Sequence, residues 1–157
     1  MIEFTLTDLE QYLCKRGAKM RYTNNRKQHI RNAKAGPQSY EKTEILGLGG
    51  EIAVAKWLNI YPDLTIYARQ GGADLISNTG KRIDVKTTMY ETGRLLAKIN
   101  TAYPDIDIFV LVTAVFPVFI VRGWATKEEL LRPNTVSNLG HGNAHCLAQD
   151  KLHTGKF

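Results

Sequence analysis

The sequence predicts a mixed α/β (α+β) fold in one domain, and three features carry that reading. Apolar residues recur at helical spacing over 43–59, at Ile45, Leu48, Ile52, Ala55 and Leu58. Short β-like segments follow at 65–69, 73–77, 82–88, 107–113 and 118–122. Thr126 and Glu129 then form a capping-box pattern before a short helix that ends near Arg132-Pro133. At 157 residues the chain has the length of one ordinary domain. It divides into a basic N-terminal segment (1–42), a core segment (43–132) and a C-terminal tail (133–157) without strong periodicity.

From the N-terminus, Thr7 followed by Glu10 fits a capping box, so a short first helix is expected from Asp8 to about Arg16. Residues 15–34 then carry eight Lys or Arg, one His and no acid. The cations are Lys15, Arg16, Lys19, Arg21, Arg26, Lys27, Arg31 and Lys34, with Tyr22, Asn24, Asn25, Gln28 and His29 interleaved. This mixture suits contacts to phosphate and sugar. The alternative is a solvated surface with turns, given Asn24-Asn25 and Gly36-Pro37. A net charge of +6 and a pI near 9.4 also fit a polyanionic partner. Within the second helical segment, Glu51 interrupts the apolar pattern beside Leu48, Val54 and Ala55. A carboxylate there needs a partner, because burying it alone is costly. That partner is either a Lys or Arg in a salt bridge, or a site formed with residues downstream.

The segment 71–88, GGADLISNTGKRIDVKTT, reads as two strands joined by Asn78-Thr79-Gly80. A three-residue hairpin loop commonly ends on a residue in the left-handed region, which suits Gly80. The implied register sets Ser77 against Lys81, Leu75 against Ile83 and Asp74 against Asp84. Two carboxylates so opposed would destabilise the sheet unless a cation lay between them. Side chains at i and i+2 leave a strand on one face, so Asp84 and Lys86 point the same way, with Ile83 and Val85 on the other. Asp74, Asp84 and the backbone carbonyl of Val85 make a set of hard oxygen ligands suited to Mg²⁺ or Mn²⁺. Lys86 beside them is placed to hold or deprotonate an attacking water, or to neutralise charge on a phosphate.

At these residues the sequence resembles the PD-(D/E)XK nuclease superfamily, which includes restriction enzymes, Holliday-junction resolvases and phage exonucleases. The pattern is a helix with a Glu, a strand with an Asp, then a strand with Asp or Glu, any residue, and Lys. Glu51, Asp74 and Asp84-Val85-Lys86 match it in order and approximate spacing, over residues 44–88. Ala73 stands where the family has its naming proline, and Asp84 where Glu is more frequent. The resemblance implies a restriction-endonuclease-like αβββαβ core, a central mixed sheet flanked by helices. It also implies hydrolysis of phosphodiester bonds in DNA, by a compact enzyme of the phage or mobile-element type. Glu51, Asp74, Asp84 and Lys86 would be the catalytic residues, with Glu51, Asp74, Asp84 and Val85 around the metal. Double-stranded or branched DNA would be the partner, and a junction resolvase would act as a homodimer. An inactive binding or inhibitor protein of the same fold, or a nuclease acting on RNA, are the alternatives.

Other constellations are weaker. His141, His145, Cys146 and His153 could suggest zinc, but Gly140 and Gly142 oppose the helix that a His-x3-His pair would need. Gly47-Leu48-Gly49-Gly50 lacks the following GK[ST] of a phosphate loop, so close packing or a helix start is the better reading. Cys14 and Cys146 form no CxxC pair and read as small buried hydrophobes. No stretch has the apolar length to span a bilayer, and the N-terminus MIEFTLTDLE lacks the layout of a secretory signal. A cytoplasmic location is expected.

Overall fold

The first helix is opened by the expected box: Thr7 N donates to Glu10 Oε2 (2.7 Å) and Glu10 N to Thr7 Oγ1 (3.3 Å). The computed structural model, which describes residues 1–27, 39–65, 72–138, 140 and 142–157, carries this helix, α1, over Asp8–Lys27. It therefore runs well beyond the expected end near Arg16. Gly17 does not stop it, because a side chain there would press on Leu48 of the next helix; the position is a packing contact rather than a terminus. Helix α2 (Tyr40–Leu58) is capped by Ser39, whose Oγ accepts from Lys42 N at 3.2 Å. It ends at Asn59, which takes the left-handed conformation at φ 56°.

The strands are β1 (Ile2–Thr5), β2 (Leu75–Ile76), β3 (Arg82–Thr88), β4 (Leu95–Lys98), β5 (Ile108–Val115), β6 (Val118–Thr126), β7 (Val136–Asn138) and β8 (Asn143–Leu147). Helix α3 (Lys127–Leu130) follows β6 and has both hydrogen bonds of the Thr126–Glu129 capping box. The architecture is mixed α+β: a five-stranded sheet in the order β1-β6-β5-β3-β2, and a three-stranded sheet in the order β4-β8-β7. In the larger sheet β3 and β5 are parallel and the other neighbours antiparallel.

Alternation along the strands builds two cores. Ile83, Val85, Val110 and Val112 face α2, where Ile52, Val54 and Trp57 join them. Phe109 and Leu111 face away, towards Leu95, Ala97, Leu130 and Leu152. Helix α2 thus covers one face of the sheet with α1 packed against it, and the small sheet with α3 covers part of the other. Gly49 and Gly50 let α2 approach closely, since an added Cβ would overlap the Phe119 ring or the Thr87 hydroxyl.

One expectation is corrected here. The αβββαβ order calls for a helix between the strand bearing Lys86 and the next parallel strand, yet the described chain between Thr88 and Ile108 forms β4. Leu95 and Ala97 are buried at a period of two, and Asn100 and Tyr103 hold positive φ values of 58° and 46°, which a helix would not accept. The tail, which shows no strong periodicity in sequence, supplies β7 and β8, strands too short for periodicity to reveal but fixed by pairing with each other and β4. Edge strand β1 was likewise not foreseen. The segment 65–69, read as a strand, lies almost wholly outside the described residues.

Candidate functional site

The site is built on the β2–β3 hairpin. Gly80 takes φ 80°, Ser77 N donates to Lys81 O (2.9 Å), and Leu75 pairs with Ile83 and Ile76 with Arg82. This is the register expected from Asn78-Thr79-Gly80. Asp74 lies one residue outside β2 and does not extend the regular ladder. Its N–H donates to Ile83 O (2.8 Å), and its Oδ2 accepts from Val85 N (2.8 Å). The carboxylate of Asp74 therefore closes the hairpin where backbone pairing stops, and this brings it beside the strand that carries Asp84 and Lys86.

Asp84 and Lys86 share the face of β3 that aligns with Phe109 and Leu111 of β5. Lys86 Nζ forms an ion pair with Asp84 Oδ1, although that oxygen, shut off from solvent, makes no hydrogen bond of good geometry among the described residues. The Asp84 side chain is 14% exposed and that of Lys86 37%, so the pair opens to solvent on the lysine side. Burial pulls the Lys86 ammonium down, but the carboxylates of Asp84 and Asp74 outweigh it and raise its pKa. Burial, with the charges of Glu51 and then Asp84, pushes Asp74 up to about 7 from 3.8; the hydrogen bond from Val85 N opposes the shift only partly.

Glu51 approaches from α2 and is buried. Both its oxygens are taken by Arg21 of α1: Nη1 lies 3.0 Å from Oε1 and 3.1 Å from Oε2, and Nη2 lies 3.2 Å from Oε2. Arg21 also donates to Asp63 O (3.1 Å) and Thr65 O (3.1 Å), fastening the chain that leads towards the hairpin. The Arg21 side chain is only 13% exposed. The sequence reading assigned it to a nucleic-acid surface, but a residue this enclosed is an internal clamp. The only signal for it in the sequence was the need of Glu51 for a cationic partner.

The remaining basic residues divide. Lys15, Arg16, Lys19, Arg26 and Lys27 are exposed on α1. Lys15 Nζ stands 5.5 Å from the centre of the Phe116 ring, and the Arg26 guanidinium lies 5.1 Å from that of Tyr22 and 4.9 Å from that of Tyr40. Arg31 and Lys34, with Gln28 and His29, fall outside the described residues. The histidines near the C-terminus do not converge: His145 Nδ1 bonds Thr135 Oγ1 (2.8 Å), and His153 Nε2 bonds Glu129 Oε1 (2.9 Å). His141 is outside the described residues. Among the described residues no three His, Cys, Asp or Glu side chains group as a metal cage.

No family model, curated protein or solved structure matches this chain. Among the described residues no helix is long and apolar enough to cross a membrane.

Proposed function

We propose that the chain is a Mg²⁺- or Mn²⁺-dependent deoxyribonuclease, an endonuclease whose PD-(D/E)XK-like site is carried by the β2–β3 hairpin of this mixed α+β fold. The observation that supports it is the hairpin closure, in which Asp74 takes the Val85 N–H and so stands next to the face bearing Asp84 and Lys86. The donor set fits a cation as a pair of carboxylates: Asp74 carries unfavourable charge from its acidic neighbours, and among the described residues Asp84 Oδ1 lacks a well-formed hydrogen bond. Glu51 does not complete a trio, because Arg21 occupies it.

Asp74 and Asp84, with the Val85 carbonyl, would hold the cation, which when bound lowers the pKa of water and offsets phosphate charge. Lys86, kept charged by Asp84, donates hydrogen bonds to the scissile phosphate or the attacking water instead of taking a proton from it. Glu51 and Arg21 act through position, holding α1, α2 and the chain at Asp63–Thr65 around Asp74. The exposed cations of α1 supply contacts to DNA phosphates. The products would carry 3′-hydroxyl and 5′-phosphate ends.

The Arg21–Glu51 clamp favours one other reading, a DNA-binding protein that keeps the fold without the chemistry. Incubating the purified protein with supercoiled, linear, single-stranded and four-way-junction DNA, and with RNA, under Mg²⁺, Mn²⁺ or chelator separates the two. Cleavage that requires the divalent ion is expected. Retardation of DNA without cleavage under either ion would establish the binding protein instead.

A further inference from the structure

A cleft of about 630 Å³ opens beside Asp74, with residues 61–65 along one wall and 73–76 along the other. Its size falls in the ~300–1,000 Å³ range of sites that enclose small organic groups. Arg21 holds the first wall through the carbonyls of Asp63 and Thr65, and the hairpin holds the second. Two large apolar side chains of the lining stand in water: Tyr61 is 85% exposed and Ile76 62%. Among the described residues of the lining, the charged groups, Asp63 and Asp74, are both acidic. Among the described residues the lining offers a phosphate no cationic side chain, whereas a neutral, flat group with apolar faces suits it.

We infer that this cleft receives an unpaired nucleobase, stacked on Tyr61 and flanked by Ile76, while the adjoining phosphate lies at Asp74, Asp84 and Lys86. The inference rests on the nuclease reading and narrows its substrate class to DNA with single-stranded or unstacked nucleotides at the cleaved position. Bases in an intact duplex are already stacked and paired, so entering the cleft would require extrusion, whereas a single strand, flap or junction offers the base without that cost. Base stacking on an aromatic ring tolerates any sequence, because every base has a flat face.

The test is fluorescence anisotropy of a labelled oligo(dT) and of a blunt duplex of equal length, with Ca²⁺ replacing Mg²⁺ to prevent turnover. Tyr61→Ala should weaken oligo(dT) binding about tenfold, the loss of one base–aromatic stack. Tyr61→Phe should bind as wild type, since the ring and not the hydroxyl carries the contact. Duplex affinity should be the same in all three proteins. Tyr61 is too exposed for its loss to unfold the chain. Unchanged oligo(dT) binding by Tyr61→Ala, or an equal loss on both DNAs, overturns the inference. If wild type still cleaves plasmid DNA with Mg²⁺ in that case, the nuclease reading stands alone. A wild-type protein that neither binds nor cleaves either DNA overturns both.

Discussion

Lys86 and Asp74 hold opposite kinds of information about the site. Lys86 is an ammonium kept charged by Asp84, on a side chain that is partly exposed. If it stabilises charge on the phosphate, Lys86→Ala should retain DNA and metal binding but lose roughly 10²-fold or more in single-turnover cleavage. Near wild-type turnover at saturating Mg²⁺ would remove that role. Asp74 is a carboxylate held at about 7, above its ordinary 3.8, by burial and by the charges of Glu51 and Asp84. Between those values the folded protein holds a proton that the unfolded chain releases. Stability without metal should therefore fall as pH rises from about 4 to 7 and level off above. Asp74→Asn, uncharged throughout, should flatten this slope while abolishing cleavage, and melting curves in chelator across the range would measure it. A slope unchanged in the variant would place the titration elsewhere.

At the scale of elements, close approach between α2 and β3 sets the position of Glu51 relative to the hairpin. Gly50 permits it, since a methyl there would overlap Thr87 Oγ1, a buried hydroxyl without a hydrogen-bond partner among the described residues. Gly50→Ala should cost about 1–3 kcal/mol of stability through overpacking. Adding Thr87→Ala should recover part of the loss by removing the obstructing oxygen, and urea denaturation of the two proteins checks the coupling. Helix α1 has two separable parts, an internal clamp at Arg21 and an exposed row of cations. Neutralising Lys15, Lys19 and Arg26 together should lower the slope of log affinity against log salt by about 2 to 3, with the fold intact. Arg21→Ala should instead remove the guanidinium that pairs with the buried Glu51 and cost on the order of 3–5 kcal/mol. Equal melting temperatures for Arg21→Ala and the triple variant would contradict that division.

Over the whole molecule, the two cores meet at the central sheet, and the C-terminal segment ties them together. His153 bridges to Trp124 of β6, Leu152 is buried in the core beneath the small sheet, and Phe157 packs against both Trp57 and Trp124. Ending the chain after Lys151 removes all three. The loss of one buried leucine and one packed aromatic should cost at least about 3 kcal/mol, which for a chain of this size corresponds to a fall in Tm of roughly 6–12 °C. A calorimetric scan showing no change would mean that these contacts are also made in the unfolded reference or are replaced.

Local rules made much of this legible from residue order alone. Both capping boxes, the hairpin loop at Asn78-Thr79-Gly80, the register of Leu75 on Ile83 and the alternation along Arg82–Thr88 depend on atoms a few residues apart, so their hydrogen bonds and sterics are written in the chain. The need of Glu51 for a partner was legible in the same way, but its identity was not. Arg21 is thirty residues distant and looks like its basic neighbours until α1 is packed on α2. The extension of α1 past Gly17, the strand in place of a crossover helix and the small sheet of β4, β7 and β8 are likewise decided by partners far along the chain. Only tertiary packing selects among such partners, because the free energy that orders a short strand or buries an arginine comes from what it meets.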